Sequence, residues 1–373
     1  MTDGIRTLIL TPDYPPSTGG IQLVIGRLAE GLDPARTRVV TLGVAGAREF
    51  DARHSPSVVR VGAKGGRFHR LSVARLNARA LAEAARFRPQ AVISGHVTAA
   101  PAALAIAALA RPVAIQYVHA DEFRTRPGLC ARAVRRADAV IAVSRYARDL
   151  ALDVGAPVER VTVIPPGVDA AEAPRRDAAA RPTIVTVARL VEHKGHVAMI
   201  RALPSIRSRV PEVEWTVIGD GPLRADLERL AVEEGVEDRI RFLGSLSNAE
   251  RDAWLARAHV FAMPSRLPPG GIGGEGFGIV FLEAGAHGLP VVGPNVGGAL
   301  DAIVDGETGL LVDPTDPAAL ADAISTVLLE PALAARLGEA GATRARERTW
   351  ERHAASVRAL IGELVGDSEG RRR

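Results

Sequence analysis

Short β-branched runs recur along this chain with Ala-, Leu- and Arg-rich stretches of helical spacing between them. They are Thr7 to Leu10, Val39 to Leu42, Ala91 to Ile93, Val113 to Val118 and Ala139 to Val143 in the first half. Thr183 to Val187, Glu214 to Ile218, Ile240 to Leu243, His259 to Met263, Val291 to Val292 and Gly309 to Val312 repeat the pattern in the second. Strands separated by helix-length segments cannot pair as hairpins, so the alternation demands parallel sheets covered by helices. Between the two runs, Val163-Ile-Pro-Pro-Gly-Val-Asp169 and the Pro-, Ala- and charge-rich residues 170–182 read as a linker. At 373 residues the chain exceeds one ordinary core. The expectation is α/β: two doubly wound, Rossmann-like domains facing a central cleft, over residues 1–170 and 171–350. Residues 351–373 are expected to form a C-terminal helix and a polar tail, frayed from Asp367 onward.

In open parallel sheets ligands sit beyond the carboxyl ends of the strands, so the loops there carry the chemistry. The most informative is Glu275-Gly-Phe-Gly-Ile-Val-Phe-Leu-Glu283. Gly276 and Gly278 allow a tight turn, and the run from Ile279 begins a helix whose free N–H groups attract phosphate and hydroxyl oxygens. Eight helical steps turn by roughly 800°, about 80° past two full turns, so the two glutamates would not share a face. They are suited to different parts of one ligand rather than to flanking a single bond as an acid/base pair. Taken alone, the stretch is also compatible with two solvated glutamates on a surface helix.

After the first strand, Gly19 and Gly20 stand at a helix entry, a second oxygen-binding turn, although a plain strand-to-helix turn also uses glycines. No G-x-G-x-x-G follows the strand, which disfavours a nicotinamide enzyme. Arg189 and Lys194 follow Val187 and suit the two phosphates of a nucleoside diphosphate, one as a fork and one as a point charge. Their alternative is a surface salt bridge with Glu192. His119 follows Val113 to Val118, where it would aim into the cleft; a structural histidine is the alternative.

Cys130 is the only cysteine, which excludes an intrachain disulfide and a thiolate cluster and fits a cytoplasmic setting. The nine histidines show no metal-ligand spacing, and no metal is expected. Ile5 to Leu10 reads as a buried strand rather than a signal peptide, and Val97 to Ala110, interrupted by Pro101, is too short to span a bilayer. Charge divides unevenly: 23 Lys and Arg against 14 Asp and Glu through residue 170, then 24 against 29. Between Arg60 and Arg88 the cations Arg60, Lys64, Arg67, Arg70, Arg75, Arg79, Arg86 and Arg88 face one acid, Glu83. Leu71, Leu76, Ala80, Leu81 and Ala84 give that segment a helical apolar stripe. It could rest on an anionic membrane, each cation contributing about 1 kcal/mol, or be a solvated helix in an Arg-rich protein. Lacking interleaved aromatics, it does not suit nucleic acid.

The ordered set Gly19-Gly20, His119, Arg189 with Lys194, and Glu275 with Glu283 resembles the retaining glycosyltransferases of family four, with the two-domain GT-B fold. The likeness runs from the first strand through Pro317 and includes Ile218-Gly-Asp-Gly-Pro222 and Phe242-Leu-Gly244. Met263-Pro-Ser-Arg266 with its Gly-rich insertion, and the opening Asp13 to Gln22, most resemble actinobacterial mannosyltransferases that use GDP-mannose to decorate phosphatidylinositol mannosides. Where those enzymes tend to show His-Gly-His-Glu, this chain has His119-Ala-Asp-Glu122, which leaves the acceptor open.

The resemblance implies that Arg189 and Lys194 hold the diphosphate, with the Gly19-Gly20 backbone contributing. Glu275 and the amides of Phe277, Gly278 and Ile279 would contact donor-sugar hydroxyls, Glu283 the ribose, and His119 the sugar near its reacting carbon. The acceptor would attack from the side that the diphosphate leaves, with the departing phosphate oxygen helping to remove its proton. The expected partners are a nucleotide-sugar donor, a glycolipid or small hydroxylated acceptor, and an anionic membrane through residues 60–88. The location would be cytoplasmic, at the inner face of the membrane where the acceptor is lipid, with no cofactor beyond the donor. A transferase using UDP-glucose or UDP-N-acetylglucosamine on a small metabolite is the alternative within the fold. A sugar-nucleotide epimerase is the alternative of another class, and a non-catalytic sensor a third.

Overall fold

The computed structural model describes residues 4–54, 56–65, 69–169 and 179–370. It divides into two compact units, residues 1–167 with 350–373, and residues 168–349. Among the described residues the first unit holds a seven-stranded parallel sheet: β1 (Thr7–Leu10), β2 (Thr37–Gly43), β3 (Ser57–Ala63), β4 (Ala91–Ser94), β5 (Val113–Val118), β6 (Ala139–Ala142) and β7 (Val161–Val163). Their order is β3-β2-β1-β4-β5-β6-β7. The second unit holds six: β8 (Thr183–Val187), β9 (Glu214–Ile218), β10 (Ile240–Gly244), β11 (Val260–Ala262), β12 (Val291–Pro294) and β13 (Gly309–Val312), ordered β10-β9-β8-β11-β12-β13 and again parallel.

Strands β1, β4, β5 and β6 are buried at every residue, as parallel strands covered on both faces must be. Leu8, Leu10 and Val40 meet Leu76, Ala80 and Ile106 in the first core. In the second, Trp215 and Val217 meet Met199, Leu203, Ile206 and Ile324. Strand order reverses between β1 and β4 in one sheet and between β8 and β11 in the other. Each reversal opens a crevice at the carboxyl ends of those strands.

Three expectations are corrected. The unit boundary lies at Gly167 rather than residue 170, and the helix Trp350–Gly370 is not a separate piece but part of the first unit. It buries Trp350, Val357, Ile361 and Val365, packs against the helix Gly20–Gly31, and stays helical past Asp367, where fraying was expected. Residues 170–178 of the expected linker and Arg371 to Arg373 lie outside the described residues. Strands β3 and β7 were not anticipated. β3 is a half-exposed edge, so it lacks the continuous apolar run of a covered strand.

The basic segment is also built differently. Arg60 lies in β3 and forks onto Asp51 with two 2.8 Å hydrogen bonds, while Lys64 pairs with Asp13 at 2.7 Å. In the helix His69–Phe87, Leu76, Ala80 and Ala84 enter the core, but Leu71 and Leu81 are 49% and 39% exposed. Buried Glu83 gathers Arg38 at 2.9 Å and Arg79 at 2.6 Å. Arg67 lies outside the described residues. Among the described residues no single helix is long and apolar enough to cross a membrane. Cys130 is buried, and burial pushes its thiol up to about 12.

Candidate active site

The loop after β8 carries Arg189 and Lys194; the loop after β11 carries Glu275 to Gly278. They meet at the strand-order reversal, where Lys194 Nζ donates to Glu275 Oε2 at 2.6 Å with both side chains largely shielded. Burial works to raise the Glu275 carboxyl, but Lys194 and the Gly278 N–H outweigh it and hold the group below the usual carboxylate range. Arg189 is exposed, and no side-chain partner for it lies among the described residues. Neither cation takes Glu192. That carboxylate binds Arg266 at 2.7 Å, and the Arg266 N–H also donates to the His193 carbonyl at 2.8 Å, fastening the two loops together.

The glycines of this turn have steric causes. Gly278, in the left-handed region at φ 86°, caps the helix Ile279–Ala286, and a Cβ on it would lie 2.4 Å from the Phe281 ring. Gly298 donates its N–H to the Glu275 carbonyl, and a Cβ there would lie 2.0 Å from the Gly276 carbonyl oxygen. Phe277 anchors the turn with a buried ring, and Ile279 begins the helix with its N–H among the unpaired donors of a helix start. Glu275 thus lies in the loop and Glu283 in the helix, as their spacing required.

Glu283 sits in a charged cluster the sequence did not disclose. Arg251, from the helix Asn248–Arg257, reaches Glu283 at 3.3 Å and Asp252 at 2.9 Å. Burial pushes the Glu283 carboxyl up, Asp252 and Asp169 add to the shift, and Arg251 opposes it. A carboxylate 16% exposed and within reach of one cation can still accept hydrogen bonds from neutral hydroxyls.

In the first unit Gly19, at φ 145°, precedes the helix Gly20–Gly31, and its carbonyl accepts the Leu23 N–H at 3.0 Å. Asp13 of the same turn binds Gln22 and Lys64, each at 2.7 Å. His119 follows β5 and is buried, its Nε2 donating to the Gly95 carbonyl at 3.0 Å. Glu122 clamps the turn: Oε1 accepts the His119 N–H at 2.6 Å and Oε2 the Ala120 N–H at 3.0 Å. Ala120 itself lies at φ 143°, a conformation that suits glycine.

Sequence reasoning missed Arg251, Arg266 and Glu122, whose partners lie on other elements or across a strained turn. It also missed His96, which the rule that found His119 would have found, since it follows β4.

Two family models match this chain: "Glycosyltransferase Family 4" over residues 18–172 and "Glycosyl transferases group 1" over residues 171–344. The GDP-mannose-dependent alpha-(1-6)-phosphatidylinositol monomannoside mannosyltransferase of Mycolicibacterium smegmatis is 34% identical, over 95% of this chain and 97% of that protein. A glycogen synthase of Mycobacterium tuberculosis is 29% identical, over 91% and 90%. The fold matches that of sucrose-phosphate synthase from Thermosynechococcus elongatus with a TM-score of 0.83 at 22% identity, covering 97% of this chain and 99% of that one. The protein is therefore a nucleotide-sugar-dependent hexosyltransferase of the GT-B fold and belongs to family 4 of the glycosyltransferases.

Proposed function

We propose that this enzyme transfers mannose from GDP-mannose, with retention of configuration, to a hydroxyl of a phosphatidylinositol mannoside at an anionic membrane surface. The observation that carries this reading is the pairing of Lys194 with Glu275 at the carboxyl ends of β8 and β11, with Arg189 on the same loop as Lys194 and without a side-chain partner among the described residues. The diphosphate of the donor takes Lys194 and Arg189, and Glu275, released from Lys194, accepts from sugar hydroxyls. Glu283 binds the ribose; in the first unit, Gly19 and Gly20 carry a helix-entry turn suited to phosphate and His119 an imidazole suited to a sugar hydroxyl. The relative from Mycolicibacterium smegmatis supports both the base and the acceptor class.

Retention is what the likeness to family four implies, and Glu122 in the His119 turn bears on its route. Both oxygens of Glu122 are committed to backbone amides, so it is poorly placed to act as a nucleophile. The departing phosphate oxygen then receives the acceptor proton, and the protein contributes by positioning and by stabilising the leaving charge. Arg189 and Lys194 meet that charge, and transfer is expected to persist in EDTA.

For the membrane, the helix His69–Phe87 presents exposed Leu71 and Leu81 with Arg70 and Arg75 on the same surface. Flotation with phosphatidylinositol-containing vesicles, lost in an Arg70→Glu/Arg75→Glu variant, tests it.

Thermal-shift titration with GDP, UDP, GDP-mannose and UDP-glucose tests the donor, because a ligand that binds only the folded state raises its stability. A GDP-selective shift, followed by transfer to phosphatidylinositol monomannoside with an α-anomeric product by NMR, is the expected result. A UDP-selective shift would favour the second reading, a UDP-sugar transferase with a small acceptor. That reading draws its support from His119-Ala-Asp-Glu122 in place of His-Gly-His-Glu.

A further inference from the structure

His96 lies directly beyond β4, at the reversal of strand order in the first sheet. Its turn is held from several sides. Gly95 N–H donates to the Leu10 carbonyl at 2.8 Å, Ser94 Oγ donates to the His96 carbonyl at 3.0 Å, and Asn77 Nδ2 donates to the Thr98 carbonyl at 3.1 Å. The imidazole caps the short turn Val97–Ala99, with Nδ1 accepting the Thr98 N–H at 3.2 Å and lying 2.8 Å from Thr98 Oγ1.

Those bonds decide its tautomer. A backbone N–H can only donate, so Nδ1 is unprotonated and the hydrogen of the neutral ring sits on Nε2. Burial favours the neutral ring; Glu122 and Asp13 oppose burial, while His119 and Arg126 assist it. No partner for Nε2 lies among the described residues. His119 is fixed in the complementary sense. Its Nε2 donates to the carbonyl of Gly95, the residue before His96, so Nδ1 of the neutral ring is an acceptor.

We propose that His96 is a second carbohydrate-binding residue of the first unit, and that His96 Nε2–H and His119 Nδ1 bracket one sugar hydroxyl. The first donates to the hydroxyl oxygen and the second accepts the hydroxyl hydrogen. A hydroxyl is the group that can answer both at once, whereas a deoxy or methoxy position cannot. The inference rests on the transferase reading and adds to it a residue that selects among sugars.

The test compares kcat/KM for GDP-mannose with its 2-, 3-, 4- and 6-deoxy analogues, and for phosphatidylinositol monomannoside with acceptors lacking single mannosyl hydroxyls. Wild-type protein is expected to discriminate about 100-fold against one deoxy substrate, the loss of two hydrogen bonds. A deoxy donor places the bracketed hydroxyl on the transferred sugar, and a deoxy acceptor places it on the acceptor. His96→Phe keeps the ring volume and His96→Asn keeps an oxygen to cap Thr98. In both, parent activity falls about ten-fold and the discrimination drops by about the same factor, for one bond lost. Variants that slow all substrates equally, or that discriminate as the wild type does, overturn the proposal. A wild-type protein that transfers from no sugar nucleotide would overturn the transferase reading instead. Long-range proton–nitrogen spectra judge the histidines without turnover: the Nε2–H form of His96, perturbed by GDP-mannose, is expected, and an Nδ1–H form refutes the pair.

Discussion

In the second unit the loops beyond the central strands meet as a lysine and a glutamate 2.6 Å apart; in the first they meet as a histidine donating to a backbone carbonyl at 3.0 Å. The sheets are built alike, each parallel and each reversing its strand order next to its first strand. Topology therefore fixes where the chemistry stands, and side chains fix what it is. One unit collects charge in a partly shielded setting, which suits a ligand that gains charge as it leaves. The other arranges imidazole rings, carbonyls and a carboxylate spent on amides, which suits hydroxyl groups that must be oriented.

The largest break in this contrast should come from Lys194→Ala. Each preorganised contact to developing charge contributes about 3 kcal/mol, so kcat/KM for transfer should fall by roughly 100-fold or more, with partial rescue by Lys194→Arg. Activity within two-fold of wild type would mean the ion pair is only structural. The charged unit should also respond to acid in its own way. His196, next to the Lys194 loop, is 2% exposed with neither ring nitrogen hydrogen-bonded. Burial first, then Lys194 and His193, lower its pKa to about 4. Its folded pKa lies below the unfolded value, so the unfolded chain binds the extra proton in the window between about 6.5 and 4. Stability should fall as pH drops through that window, this group supplying up to about 3 kcal/mol. Urea titrations should show the slope lessened in His196→Phe.

Next in size, Glu283→Ala should weaken GDP affinity by about ten-fold in calorimetry, for one charge-assisted hydrogen bond, while His96→Asn leaves it unchanged. Equal losses in both would erase the division between a charge-binding and a hydroxyl-binding half. Smallest is Ala120→Gly. Relief of a positive φ offsets the larger unfolded-state entropy of glycine, for a gain of about 1 kcal/mol and a Tm higher by a few degrees. An unchanged or lower Tm would argue that the turn after β5 is not strained.

The strands and the helix start at Ile279 were legible because their signals are local. Val113 to Val118, Glu214 to Ile218 and Gly309 to Val312 were delimited as observed. The loops after β5, β8 and β11 could be singled out by position alone. What stayed hidden depends on pairs distant in the chain: Lys194 meets Glu275 across 81 residues, and Arg251 finds Glu283 from another helix. Periodicity carries no record of such partners. The basic run hid its pairings for the same reason, since Arg60 and Lys64 have Asp51 and Asp13 as partners. Gly298 gave no local sign of its purpose, because the Gly276 carbonyl that excludes a side chain there lies 22 residues back.

The return of Trp350–Gly370 to the first unit bears on how the protein is made. A ribosome must finish all of residues 168–349 before it can supply that helix. During synthesis the continuous unit can close its core first, while the one begun earlier waits with the faces for Val357 and Ile361 uncovered. The order of completion thus runs against the order of the sequence. Until the last helix docks, the nascent first unit is the portion with reason to meet a chaperone.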